Sequence, residues 1–307
     1  MKRAAVFAHY DKDNLVDDYV IYYLRALKEI ADELVFVSCN ELSENEKSKL
    51  DGIADFVIAE KHDEYDFGSY KRGFVYLTSR LNDFDELIFA NDSCYGPLYS
   101  LRQIFEEMEK DSRCDFWGIT KNRFGAIKNK NSKYVSAIRP HIQSYFLVFN
   151  KNVFTSEVFS NFIKSVRHLD NKSEIIINYE IGLSELLRQE GFVDASFINS
   201  FLRFNHVVIS LWRLLIQHSK MPFVKCSILR LKNQDFTYTE KWQEVISKNS
   251  DYPVALIEKN LVRTISDEDK QKNIPYWFKA FYFNFISFLP AKLKVFCIKC
   301  HRKILNL

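Results

Sequence analysis

Residues 85–98 read DELIFANDSCYGPL. An apolar run, Leu87 to Ala90, stops at Asn91-Asp92-Ser93, and the turn Tyr95-Gly96-Pro97 follows at once. So short an apolar run suits a parallel strand buried on both faces. The same pattern recurs in "RAAVFAH" from Arg3 and in "ELVFVSC" from Glu33. Between those two, Val16, Tyr19, Val20, Tyr23, Leu27 and Ile30 recur at helical spacing, with Asp13 the expected N-cap. Further strands are expected in "DFVIAEK", "DFWGIT", "SYFLVFNKNVF" and "DASFI". Further helices are expected in "SENEKSKLDGIA", in "DFGSYKRGFVYLTSRL" after an opening loop, in "SLRQIFEEMEK" capped by Ser100, around Ser156 to Val166, and in "YEIGLSELLRQEGF" up to Gly191. Alternating strands and helices with short links imply a doubly wound, mostly parallel α/β sheet.

Composition narrows the classes. The 307 residues are 47% hydrophobic and 27% charged, ordinary for a globular chain. Only 8 glycines are present, and neither GxGxxG nor GxxxxGK[ST] occurs, which argues against dinucleotide oxidoreductases and P-loop NTPases. The N-terminal apolar run ends at His9-Tyr10-Asp11 without a small-residue cleavage site, so it reads as a first strand rather than a leader. The 6 scattered cysteines are then expected to be reduced thiols in the cytoplasm. Cys297-Ile298-Lys299-Cys300-His301 matches the haem-attachment expression, but that chemistry needs export, and the match is read as chance in a basic tail.

The net charge of +3 hides an asymmetry. From Lys270 onward there are 8 Lys or Arg and no acid, leaving 35 basic against 40 acidic residues elsewhere. The tail also holds nine aromatics between Tyr276 and Phe296. Its apolar segment, Tyr276 to Leu289, is shorter than the roughly 20 residues a spanning helix needs. Aromatics interleaved with Lys and Arg fit a segment lying on an anionic membrane surface; a helix packed on the body or on a second subunit is the other reading. The expected division is residues 1–265 as the main domain and 266–307 as a helical, basic, aromatic tail.

Doubly wound sheets bind ligands beyond the C-terminal ends of their strands. Four polar clusters fall there: His9-Tyr10-Asp11, Asp63 to Arg72, Asn91-Asp92-Ser93 and Thr120 to Arg123. Asp92 reads either as the cap of an Asx turn or as a ligand for a divalent cation, Mg2+ or Mn2+, which prefers carboxylate oxygens and bridges phosphates. One carboxylate is a sparse metal site, so metal dependence stays open. Asp66, Lys71 and Arg72 lie in a loop that feeds a helix; a helix N-terminus with nearby cations can hold a diphosphate, and a solvated loop is the plainer alternative. Glu180 reads as a first-turn acid or as a general base facing the cleft. His206 follows an apolar stretch and reads as structural or, less directly, as a metal ligand.

Taken in order, "AHYDKDNLVDDYVIYYLRAL", "YDFGSYKRGF", "DELIFANDSCYGPL", "DFWGIT", "QSYFLVFNKNVF", "YEIGLSELL" and "LWRLLI…MPFVKCSILR" resemble the rhamnan synthesis protein F family of bacterial polysaccharide glycosyltransferases. The resemblance covers about residues 5 to 235. It implies a GT-A-type fold and transfer of rhamnose or a similar deoxysugar from a nucleotide diphosphate donor, with dTDP-rhamnose the named precedent. The implied acceptor is a lipid-pyrophosphate-linked glycan at the cytoplasmic face of the membrane, with the enzyme peripheral there; nucleic acid is not an expected partner. Asn91-Asp92-Ser93 stands where such enzymes carry Asp-x-Asp, and two of those carboxylates are absent. By position, His9, Asp11, Asp66, Lys71, Arg72, Asn91, Asp92 and Ser93 become donor-site candidates, Asp92 a candidate metal ligand and Glu180 the candidate base. With no second nucleophile placed, a single inverting displacement is expected. A non-catalytic glycan-binding or assembly factor on the same fold is the rival reading.

Overall fold

The computed structural model describes residues 1–110, 113–128, 134–198, 211–230 and 239–265. Its spine is four parallel strands, β1 (Arg3–His9), β2 (Glu33–Ser38), β3 (Phe56–Ala59) and β4 (Glu86–Asn91), laid side by side as β3-β2-β1-β4. Phe7 of β1 sits opposite Phe36 on one side and Ala90 on the other. Side chains along these strands alternate between two cores. Ala5, Phe7, Leu34, Phe36, Ile88 and Ala90 enter one; Ala4, Val6, Ala8, Val35, Val37, Leu87 and Phe89 enter the other. Burial on both faces is why the strands read as unbroken apolar runs.

Helices cover both faces. α1 (Asp18–Lys28) buries Tyr19, Val20, Tyr23, Leu24 and Leu27 in the first core, while α2 (Glu44–Ser48) is one capped turn near the surface. α3 (Tyr65–Leu77) buries Phe67, Tyr70, Phe74 and Leu77 in the second. The aromatic richness of the chain is spent there: Tyr70 stacks on Phe89 with ring centroids 4.6 Å apart, and Phe149 meets Phe159 edge-on at 4.8 Å. Each such ring contributes ~1.5–3 kcal/mol by burial and somewhat more by its geometry.

Beyond β4 the sheet turns mixed. After the two-residue β5 (Cys94–Tyr95) and α4 (Leu101–Met108), a long hairpin forms from β6 (Phe116–Lys128) and β7 (Tyr134–Ile142). β8 (Phe146–Asn150) runs antiparallel between β4 and β6, and β9 (Asp194–Ile198) pairs parallel to β6. Between β8 and β9 lie α5 (Lys151–Phe154), α6 (Glu157–Lys164), α7 (Lys172–Ile175), a π-helical turn Ile176–Ile181 and α8 (Gly182–Gln189). The result is a largely parallel α/β sheet, as expected, with an antiparallel insertion next to its centre.

The structure differs from the expectation at several points. Asp13 does not cap α1: the chain first turns at Asn14, whose φ is +58°, and Asp17 precedes the helix. Ser100 precedes α4 without a side-chain capping bond. Asp66, Lys71 and Arg72 lie on α3 itself rather than in a loop before it. Glu180 is not a first-turn acid; it sits in the π turn inside a helical run that begins at Lys172, where the Asn171 side chain caps the Glu174 N–H. Thr120 to Arg123 belong to β6 instead of a strand-end loop. His206 and the tail from residue 266 lie outside the described residues. Among the described residues no helix is long and apolar enough to cross a membrane.

Candidate active site

The C-terminal end of β4 carries the opening motif, and its three residues do different work. Asn91 is the local cap: its Oδ1 accepts the Ser93 N–H at 3.1 Å and the Ser93 hydroxyl at 2.6 Å, an Asx turn. Asp92 is thereby spared that role. Its N–H extends the β1–β4 ladder to the Ala8 carbonyl, and its Oδ2 accepts the Tyr10 N–H at 2.8 Å. Its Oδ1 has no hydrogen-bond partner among the described residues. The Asp92 carbonyl accepts the Tyr19 hydroxyl at 3.0 Å. Burial pushes the Asp92 carboxyl up to about 7; the Tyr10 N–H and the Arg230 charge oppose this, and repulsion from Asp11 and Asp66 adds to it.

From Asn91 a chain of polar contacts leads to Glu180. Asn91 Nδ2 donates to Asp66 Oδ2 at 3.1 Å. Ser144, in the link between β7 and β8, places its hydroxyl 3.3 Å from Asp66 Oδ2 and 2.6 Å from Glu180 Oε2. Glu180 Oε2 also accepts the Ser144 N–H, and Oε1 lies 3.3 Å from His141 Nε2. The α3 N-terminus and the π turn thus deliver one carboxylate each to the same serine. Burial, then the Glu180 charge, raises the Asp66 carboxyl to about 6. Burial also works against the Glu180 charge, but His141, Lys225 and Ser144 together outweigh it and hold that carboxyl at about 2. Three neighbouring acids with such separated affinities for a proton mark a functional site more often than a structural one.

Other expected site residues are engaged elsewhere. His9 is buried, its Nδ1 2.9 Å from the Ser38 hydroxyl and its Nε2 3.2 Å from the Leu15 carbonyl; burial pulls its pKa down to about 4, so it is a neutral strut. Asp11, with Asp13 and Asp17, binds the Arg263 guanidinium. Lys71 reaches Glu64 at 3.2 Å and donates to the Val166 carbonyl at 2.6 Å. Arg72 pairs with Glu60 at 2.6 Å and with Glu64, and donates to the Gly68 carbonyl at 3.0 Å. The two cations expected beside a diphosphate are therefore already neutralised.

One segment that the sequence reading quoted, but gave no role, completes the site. β10 (Val224–Lys225) pairs antiparallel with β5, placing Lys225 opposite Cys94. The contact is intimate: Gly96 has φ +142°, and a Cβ there would meet the Pro222 carbonyl oxygen at 2.4 Å. Lys225 Nζ stands 4.4 Å from the centroid of the Tyr145 ring. Behind it, Arg230 bonds to the Asn260 Oδ1 at 3.0 Å and to the Tyr19 hydroxyl at 3.4 Å.

The fit to a divalent cation was tested on the donor set. Among the described residues no three His, Cys, Asp or Glu side chains converge as a metal cage. Asp92 offers one free carboxylate oxygen, so a Mg2+ or Mn2+ ion there would draw its remaining ligands from phosphate and water. No chemical step is assigned to it below.

Comparison with known proteins places this geometry. The chain is 27% identical over 159 residues to the uncharacterized protein y4gN of Sinorhizobium fredii, matching 52% of this chain but 39% of that one. It is 25% identical over 240 residues to the virulence protein VirA of Vibrio anguillarum, covering 67% of this chain and 72% of the other. Among solved structures it resembles a putative glucose-1-phosphate thymidylyltransferase of Bacillus anthracis, at TM-score 0.39 and 11% identity over 63% of this chain and 87% of that one. It also resembles the Mn/GDP form of core-mannan synthase A of Aspergillus fumigatus, at TM-score 0.34 and 9% identity over 61% and 69%. Likeness at that distance carries no argument about function. The model of rhamnan synthesis protein F matches residues 34–293, beginning later than the motif resemblance and running on into the tail. With most of its length matched, the chain belongs to the rhamnan synthesis protein F family.

Proposed function

We propose that this protein is a glycosyltransferase that moves a sugar, rhamnose or a similar deoxysugar, from a nucleoside diphosphate donor onto a growing surface polysaccharide. The observation that carries the reading is the polar chain from Asn91 through Asp66 and Ser144 to Glu180, with Asp92 next to Asn91 and close enough to Asp66 to feel its charge, in a rhamnan synthesis F family member. Asp92 is assigned the base. Its proton affinity near 7 matches neutral operation, and its Oδ1 lacks a partner among the described residues. Glu180, the base expected from the sequence, is too weakly basic at about 2, and both its oxygens are engaged; it instead orients Ser144 and Asp66.

In the proposed step the acceptor hydroxyl oxygen attacks the anomeric carbon and gives its proton to Asp92. The bond from that carbon to the diphosphate oxygen breaks, and its electron pair leaves with the diphosphate. One base and one displacement give inversion. The acceptor is proposed to be lipid-linked, with the basic aromatic tail holding the enzyme on the anionic inner face of the cell membrane. Truncation after residue 269 is expected to abolish co-sedimentation with anionic vesicles.

A thermal-shift panel of nucleotide sugars, with and without Mg2+ or Mn2+, tests the donor assignment, because a ligand of the native state raises its stability by mass action. Stabilisation by a dTDP- or UDP-sugar is expected. Binding of glycan without any nucleotide sugar would instead favour the non-catalytic assembly factor.

A further inference from the structure

The acids at these strand ends pose an electrostatic problem for the donor. Asp92, Asp66 and Glu180 would repel a diphosphate, and the obvious cations nearby are spent. Lys71 and Arg72 are paired with Glu64 and Glu60, Arg263 with three aspartates, and Arg139 with Glu185. Arg230 forms no ion pair among the described residues, but its guanidinium is held by the neutral Tyr95, Tyr19 and Asn260. We propose that Lys225, on the β5–β10 pair beside Asp92, is the cation that receives the diphosphate of the donor nucleotide. This rests on the glycosyltransferase reading and deepens it by naming the residue that holds the leaving group.

Three observations carry it. Lys225 forms no ion pair among the described residues, and it is only partly buried, so its ammonium is available. Its position is fixed by backbone rather than by side-chain choice. Lys225 lies in register with Cys94, the Cys226 N–H donates to the Ser93 carbonyl at 2.9 Å, and the Leu98 N–H donates to the Pro222 carbonyl at 2.7 Å. Finally, Lys225 lies close enough to Glu180 and Cys94 for its charge to favour their ionised forms. The Tyr145 ring that backs the ammonium at 4.4 Å is itself pinned by a 2.7 Å bond between its hydroxyl and that of Thr120. A compact ammonium is a suitable point charge for phosphate, and one held in advance spends little of its binding energy on ordering.

Calorimetric titration of dTDP, UDP and the corresponding monophosphates and nucleosides into the full-length protein tests this. Wild type, Lys225→Met and Lys225→Arg are compared, with nucleoside binding serving as the check on folding. The expected result is a loss of diphosphate affinity of tenfold or more in Lys225→Met, a smaller loss for monophosphates, unchanged nucleoside binding, and recovery in Lys225→Arg. Equal diphosphate affinity in wild type and Lys225→Met overturns the assignment of Lys225 while leaving the donor reading intact. Equal loss for nucleosides and diphosphates also overturns it, because Lys225 would then be shaping the site rather than holding phosphate. A wild-type protein that binds neither dTDP nor UDP overturns both.

Discussion

Two groups of three carboxylates are built on opposite principles. Asp11, Asp13 and Asp17 surround Arg263, whose guanidinium meets Asp17 at 2.6 Å and Asp13 at 2.5 Å. Asp92, Asp66 and Glu180 have no arginine or lysine within ion-pair distance among the described residues; their contacts are a backbone N–H, an amide, a serine and a histidine. The first group has its charge cancelled and serves to dock the helix Ala255–Thr264 against the loop before α1. The second retains its charge conflict, visible in carboxyls displaced upward at Asp92 and Asp66 and downward at Glu180. Proteins tolerate that conflict where chemistry needs it.

The contrast can be broken most decisively at Asp92. Asp92→Asn keeps the acceptor for the Tyr10 N–H and removes the base, so transfer should fall by about 10²–10⁴; an assay of nucleoside diphosphate release measures it. Activity of wild type should rise as pH climbs through about 7, and that limb should vanish in the variant. Next comes Glu180→Gln, for which a loss of roughly 10–100-fold is expected, with the limb near pH 7 preserved, as befits a residue that acts through Ser144 and Asp66. A Glu180→Gln variant that loses the limb while Asp92→Asn keeps it would reverse the two roles.

Arg263→Ala probes the cancelled group. It should cost about 2 kcal/mol of stability, below the figure for a fully buried pair because the side chain is 22% exposed. Urea unfolding reads the change. Asp13 is held below its usual range by bonds from Lys12 and Arg263, so the stability it draws from the clamp is present above the unfolded carboxylate range and lost as pH falls. A further effect is a sign inversion at Asp92. Its raised carboxyl makes the folded state the tighter proton binder, so its contribution declines as pH rises from about 4 to about 7. Asp92→Asn should therefore melt higher relative to wild type at pH 8 than at pH 5. A constant difference would show that the residue feels no burial penalty.

The parts of this molecule that were legible in the sequence are those set by periodicity. Leu87 to Ala90 and Ala4 to Ala8 announced strands covered on both sides, and they are. β7 was missed because Tyr134 to Ile142 is broken by Arg139, Pro140 and His141; Arg139 and Pro140 are half-exposed, and His141 is buried with Glu180 as its partner. At the candidate site, Asp92 and Asp66 were singled out by their places at element ends. The local chemistry was less readable: which of Asn91 and Asp92 caps the turn is decided by side-chain direction, not by composition. Lys71 and Arg72 looked available because nothing in the sequence pairs them with Glu60 and Glu64, which the fold brings face to face with them. Lys225 was hidden by distance, 133 residues after Asp92, and becomes visible only through the pairing of β10 with β5.

The Arg263 clamp also has a consequence in time. Tyr10, whose N–H orients Asp92, stands immediately before Asp11, which that guanidinium holds. Chains are made from the N-terminus, and the sheet that bears Asp92 is complete well before residue 263 is added. The strand-end loop then waits for a helix synthesised some 250 residues later to lock it. A nascent or truncated chain would have the sheet in place while the proposed base still lacked its alignment. The proposed activity would thus be acquired only after residue 263 had been made.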